Sequence, residues 1–170
     1  MATDSTVTNK NLIALRFARS TPTYDHAAVV QRMMANELVA SIERLAAEGR
    51  FRCVLELGCG TGLFTEQLLS QLTVDHLTLN DIIPSVYAVA NDIASSYRAT
   101  QVSVRRGDME SIDLPCDQDL VVSNAVLQWS EEAETMLQRM LTAVRPGGML
   151  ALTTFGRDNL AEKGRNCRPS

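Results

Sequence analysis

The ten residues Cys-Val-Leu-Glu-Leu-Gly-Cys-Gly-Thr-Gly, from Cys53 to Gly62, constrain the fold more tightly than any other stretch of the chain. Val54, Leu55 and Leu57 suit a central strand that is covered on both faces. Gly58, Gly60 and Gly62, at alternate positions, let the backbone turn sharply and come close to a ligand. Phe64, Leu68 and Leu72 then recur every four residues, which predicts a helix over roughly Leu63 to Leu72 with one face on a sheet. Strand, turn and helix make half of a βαβ unit, and the free N–H groups at such a helix start can hold an anion.

The glycine spacing decides against a dinucleotide. That fingerprint places its third glycine five residues after its first, and position 63 is Leu63. Glu56 would also repel a pyrophosphate, and it suits a ligand with a cationic amino group, such as the methionine part of S-adenosylmethionine. The run resembles the first motif of the Rossmann-like methyltransferases.

A second strand follows at Leu77, Thr78 and Leu79, with Asn80 and Asp81 at its carboxyl end. An acid there can accept hydrogen bonds from both hydroxyls of a ribose. Nicotinamide and adenosylmethionine proteins share that feature, so Asp81 speaks for the fold more than for the cofactor. Standing before Pro84, it also reads as a helix cap.

The remaining pattern completes an α/β chain. Residues 26 to 48 carry Val29, Val30, Met33, Met34, Leu38, Val39, Ile42 and Leu45 at helical steps that close at Gly49. Pro84 opens a helix with Val86, Val89, Ile93 and Tyr97 on one face, and Val102 and Val104 alternate as a third strand. Residues 107 to 117 read as a loop and Asp119 to Ser123 as a fourth strand. Glu131 to Val144 reads as a helix with Ala133, Met136, Leu137, Met140 and Leu141 inward. Arg145-Pro146-Gly147-Gly148 punctuates, and Met149 to Phe155 is a fifth strand.

This alternation predicts a Rossmann-like, doubly wound, mostly parallel sheet of about five strands with helices on both faces. Ligands then sit at the strands' carboxyl ends. Gly107-Asp108-Met109 and Ser123-Asn124-Ala125 converge there with Glu56 and Asp81. Asp108 can accept from an adenine amino group beside the Met109 N–H; alone, it reads equally as a turn acid.

With 170 residues, 45% of them hydrophobic, the chain fits one domain with a sizeable core. We divide it into an N-terminal arm and helix over 1–49, a core over 50–156 and an irregular tail over 157–170. A net charge of −4 and no long basic stripe argue against nucleic acid. Cys53, Cys59, Cys116 and Cys167 form no CxxC pair and have no histidine at ligand spacing, so no metal site is expected. With no signal peptide and no long apolar run, the chain reads as cytoplasmic and off the membrane. His26 and His76 support no histidine-based constellation.

Further runs resemble the malonyl-acyl-carrier-protein O-methyltransferase family of biotin synthesis. They are Phe17-Ala18-Arg19 with Tyr24-Asp25 and Gln31, Gly107-Asp108-Met109-Glu110-Ser111, and Val122 to Trp129 (Val-Ser-Asn-Ala-Val-Leu-Gln-Trp), with Arg145 to Gly148 and Thr153 to Gly156 continuing the match. The resemblance implies S-adenosylmethionine as cofactor. Glu56, Gly58, Gly60 and Asn124 would hold its methionine end, Asp81 its ribose, and Asp108 with Met109 its adenine, while Gly62 and Ile82 are also counted at the cofactor. Tyr24, Gln128 and Trp129 would border the acceptor, although Tyr24 is otherwise an aromatic before a helix and Trp129 a core anchor.

The implied reaction is methyl transfer to the free carboxylate of malonyl-acyl-carrier protein or malonyl-CoA, with no catalytic base. Arg16, Arg19 and Arg32 are docking charges for an acidic carrier, or a solvated helix face. Family members add two final antiparallel strands, so the chain is expected to be truncated, with its fifth strand an edge open to self-association. Three other readings remain: a catalytically silent cofactor-binding fragment, a methyltransferase for another small acid, and a nicotinamide dehydrogenase.

Overall fold

The computed structural model describes residues 24–155 apart from 47, with side chains from residue 29 onward. Helix α1 (Tyr24–Leu45) leads into strand β1 (Arg50–Leu57), α2 (Leu63–Gln71), β2 (Thr73–Asp81), α3 (Val86–Ser96) and β3 (Gln101–Arg106). A loop connects to β4 (Gln118–Asn124), a single 3-10 turn (Leu127–Trp129), α4 (Ala133–Ala143) and β5 (Val144–Thr153). The five strands lie in the order β3-β2-β1-β4-β5, and each adjacent pair is parallel. The chain winds outward from β1 to β3, returns to β4 on the other side and winds outward again. The reversal lies between β1 and β4, where open parallel sheets form their ligand crevice. This is the doubly wound Rossmann-like fold expected from the alternation of elements.

Two cores cover the sheet. On one face Val54, Leu77, Leu79, Leu120 and Val122 pack with residues of α1, α2 and α3. On the other, Leu55, Leu57 and Val121 pack against Met136, Met140 and Ala143 of α4. Strand alternation therefore puts Glu56, in step with Val54, on the face that carries α2.

Several expectations need correcting. In α1 the buried face is Ala35, Leu38, Val39 and Ile42, a single i, i+3, i+4, i+7 stripe. Val29, Val30, Met33 and Leu45 are exposed; Met33, at 63% exposure, lies about 160° round the helix from Ala35. In α4, Leu141 is 58% exposed because it lies about 140° round from Met136, and Ala133, the first helical residue, is exposed too. Arg145-Pro146-Gly147-Gly148 does not separate α4 from β5. These four residues are looped out within the strand's start, where Val144 faces Gln118 and Met149 already faces Leu120. The strand also stops at Thr153, before Phe155.

A charged clamp closes the end of the sheet away from the crevice. Asp119 Oδ2 accepts from the Arg52 and Cys53 N–H groups, both at 2.7 Å, and Oδ1 accepts from Arg145 Nε. Burial pushes the Asp119 carboxyl up, but the Arg145 guanidinium and the two amides outweigh it and hold it below its ordinary value. No helix among the described residues is long and apolar enough to cross a membrane. Expectations for Arg16, Phe17-Ala18-Arg19, the 157–170 tail and any strands after β5 lie outside the described residues.

Candidate functional site

The glycine turn is held from β2. Gly58 and Cys59 donate their N–H groups to the Asn80 carbonyl at 2.9 and 3.0 Å, and Gly60 N–H donates to Asp81 Oδ2 at 2.7 Å. Gly58 has φ +73°, and a Cβ there would stand 2.5 Å from Val126 Cγ2, so both conformation and space demand glycine. Gly60 also has positive φ, yet a Cβ there would meet nothing within 4 Å, which leaves its open side for a ligand. Asp81 Oδ1 accepts from Ile83 N–H at 2.9 Å. Each Asp81 oxygen thus spends one acceptor position on backbone and keeps another, the requirement for receiving a pair of ribose hydroxyls. The helix-cap alternative is met only as this local turn, since α3 starts later, at Val86.

Above the turn, at the carboxyl ends of the strands, lies a cavity of about 490 Å³. That is within the range of small-molecule sites. Its lining includes Gly58, Gly60, Asp81, Asp108, Met109 and Asn124. Ile82 and Trp129 also reach it, Trp129 at 43% exposure, so Trp129 is not a core anchor. Three expected site residues are off the lining. Gly62 precedes α2 and faces Val89; Gln128 donates to the Ala125 carbonyl at 2.6 Å; and Glu56 lies beneath the turn. Tyr24 opens α1, and its side chain is outside the described residues.

The loops after β3 and β4 are cross-tied. Asp108 Oδ1 accepts from Glu110 N–H at 3.0 Å, while Glu110 Oε1 accepts from Ser130 Oγ and from Glu132 N–H at 3.0 Å. Arg139 of α4 donates to the Met109 carbonyl at 2.7 Å and to the Ile112 carbonyl. Asn124 Oδ1 accepts from Thr153 Oγ1 at 2.7 Å, and Thr153 Oγ1 accepts from Ala125 N–H at 3.0 Å. Ala125 sits in the left-handed region, φ +56°, at the cavity wall. Sequence reasoning missed the supporting roles of Asn80, Ala125 and Arg139. For Asn80, a polar residue at the end of a buried strand was an available signal; for Ala125 there was none. Gln31 of α1 also lines the cavity.

The electrostatics are one-signed. Glu56 is 1% exposed, and its Oε2 accepts from the Thr65 hydroxyl at 2.8 Å. Burial raises its pKa to about 7, the Thr65 hydroxyl opposes that, and the Asp81 charge adds to it. Burial, then Glu56 and Asp81, push the Cys59 thiol far above its ordinary value, so it stays neutral. A site edged by Asp81, Asp92 and Asp108, with Glu56 beneath it, favours a ligand bearing positive charge. Among the described residues no group of three or more His, Cys, Asp or Glu could hold a metal ion.

A family model described as "Methyltransferase domain" matches residues 54–148. The malonyl-[acyl-carrier protein] O-methyltransferase of Chlorobium phaeovibrioides is 40% identical over 159 residues, covering 93% of this chain and 61% of the relative. The protein of the same name from Chlorobium luteolum is 38% identical, covering 92% and 60%. The chain thus spans about three fifths of the length of these curated relatives. In fold it is similar to the N-methyltransferase NodS of Bradyrhizobium japonicum in complex with S-adenosyl-L-homocysteine, with a TM-score of 0.68, 22% identity and coverage of 90% of this chain and 76% of that one.

Proposed function

The chain belongs to the methyltransferase-domain family, and from that premise we propose that it transfers a methyl group from S-adenosylmethionine to the free carboxylate of a malonyl thioester, with malonyl-acyl-carrier protein as the acceptor. The observation that carries the reading is the cavity at the β1/β4 reversal, lined by an open glycine turn together with Asp81 and Asp108. The names of relatives 38–40% identical over more than nine tenths of this chain support the choice of acceptor.

The residues present fit the cofactor. Asp81, with acceptor capacity left on both oxygens, would hold the ribose, and Asp108 with the Met109 backbone would hold the adenine. Asn124 and the glycine turn would hold the amino-acid end. When bound, the cofactor supplies an electrophilic methyl group on a sulfonium. The acceptor carboxylate is already ionised near neutral pH, since carboxyl groups titrate at about 4. No side chain therefore has to remove a proton, and the work of the chain is to orient the reactants and exclude water. Alignment of this kind contributes roughly 7–11 kcal/mol in well-oriented cases.

Trp129 at the cavity wall and Gln31 from α1 support an acceptor side formed by α1 and the segment after β4, with residues 1–49 as a cap on the 50–156 core. Tyr24 and Gln128 belong to that side. Arg32, exposed on α1, is a docking charge for the acidic carrier, and a steep loss of carrier binding with added salt tests this. Among the described residues β5 is an edge strand, which is the proposed surface for self-association, and the cytoplasm is the proposed location.

The test is a titration with adenosylhomocysteine, followed by labelled S-adenosylmethionine with malonyl-acyl-carrier protein. Binding and a labelled ester are expected. Binding without ester would assign the chain to cofactor holding alone. No binding refutes the proposal.

A further inference from the structure

Glu56 is a buried acid with almost nothing to balance a charge. Its strand neighbours in register are Leu79 of β2 and Val122 of β4, both fully buried. Helix α2 contributes one hydroxyl, Thr65 Oγ1, at 2.8 Å from Oε2. The titratable groups facing it are Asp81 at the end of β2 and Cys59 in the glycine turn. Asp81 already accepts from two backbone N–H groups, and Cys59 is a neutral thiol. Among the described residues, no lysine, arginine or histidine pairs with Glu56, and His76 lies earlier on β2, on an exposed position. Both facing groups line the cavity, so the buried carboxyl senses that space through the wall they form.

A carboxyl in this setting keeps its proton while the cavity holds only water, because ionisation would leave an uncompensated charge next to Asp81. An ammonium or sulfonium group entering the cavity brings the missing positive charge. We propose that binding of an amine-bearing nucleoside in this cavity drives the proton off Glu56 into solvent, so that occupancy of the site is coupled to proton release. The inference rests on the adenosyl-cofactor reading and deepens it, by giving that site a built-in pH dependence.

The sign follows from linkage. Binding favours ionised Glu56, so affinity falls as pH drops below the value of about 7 at which the empty site titrates. Affinity for adenosylhomocysteine should rise roughly eightfold from pH 6.0 to 7.5, with about 0.9 protons released per ligand at pH 6.0 and about a quarter of a proton at pH 7.5.

The experiment is isothermal calorimetry of the full chain with adenosylhomocysteine at both pH values, in buffers of different ionisation enthalpy. Methylthioadenosine, which keeps the adenine and ribose but lacks the amine, serves as comparison and should release no proton. Glu56→Gln should bind adenosylhomocysteine with no proton release and with affinity flat over this pH range. Wild-type binding without proton release overturns the inference alone, as does equal release by Glu56→Gln or with methylthioadenosine. No binding heat at all overturns the cofactor reading together with it. Should the variant fail to fold, the wild-type buffer series still decides.

Discussion

Glu56→Gln isolates the electrostatic term of a single buried group in the unliganded protein. The carboxyl titrates at about 7 in the folded chain against an ordinary value of 4.5. A raised carboxyl contributes stability that is complete below the unfolded value and is lost as pH rises through the folded one. The window therefore runs from about pH 4.5 to pH 7. Raising the carboxyl from 4.5 to about 7 corresponds to roughly 3 kcal/mol, at about 1.4 kcal/mol per tenfold change in its ionisation equilibrium. The amide has the same shape, does not ionise, and can accept from Thr65 Oγ1 as Oε2 does. Near pH 5 the two proteins should differ by about 1 kcal/mol or less, since both side chains are neutral in the folded state. By pH 8.5 the variant should be more stable by roughly 3 kcal/mol, because only the wild type holds a charge under the glycine turn. The assay is urea unfolding of both proteins from pH 5 to 8.5 at constant ionic strength, in which titrations common to both cancel in the difference. A difference that stays constant across the range refutes the reasoning, because Glu56 would then be ionised throughout or not desolvated. A variant weaker at every pH by one fixed amount would show that the Thr65 hydrogen bond, rather than the charge, dominates.

Gly58→Ala should destabilise the fold by roughly 2–5 kcal/mol in urea unfolding, from positive φ and the 2.5 Å approach to stiff Val126; Gly60→Ala should cost only about 1–2 kcal/mol, because its Cβ has room, yet weaken adenosylhomocysteine binding. Ala125→Gly should raise stability by about 1 kcal/mol, since the left-handed conformation strains alanine and not glycine, and an unchanged or lower midpoint would contradict that. Asp119→Asn should cost about 1–3 kcal/mol at pH 7 through the weakened hold on Arg145 and the β1 amides. Because the Asp119 carboxyl is held low, its contribution is complete above the ordinary value of 3.8 and lost as pH falls below it, so the two proteins should converge in stability toward acid. Arg139→Ala should weaken adenosylhomocysteine binding by freeing the Met109 and Ile112 carbonyls, with the cavity's opposite wall untouched; equal affinity would remove Arg139 from the site's support.

Legibility of this chain followed how local the determining physics is. The turn after β1 was readable because glycines at alternate positions answer to backbone sterics within five residues, and the structure gives Gly58 and Gly60 positive φ. Asp81 was readable for the same reason: the end of β2 is set by its own apolar pattern, and one parallel crossover brings that end beside the turn. The misreadings in α1, α4 and β5 concern which of several apolar residues meets a partner far along the chain. Leu141 and Met33 fit a helical count as well as Met140 and Ala35 do, and only the placement of the sheet separates them. Glu56 is the instructive case. Its two-residue step from Val54 already puts it on the face that α2 covers, which argues for a buried acid coupled to the cavity rather than one lining it. Two other stretches of the lining were out of reach, since Arg139 supports Met109 across thirty residues and Ala125 is held by Thr153 across twenty-eight. In this doubly wound sheet the glycine turn and Asp81 are written locally, whereas the segments carrying Met109 and Ala125 are held by residues far along the chain. Variation in those distant supports can reshape their part of the cavity while the turn keeps its pattern.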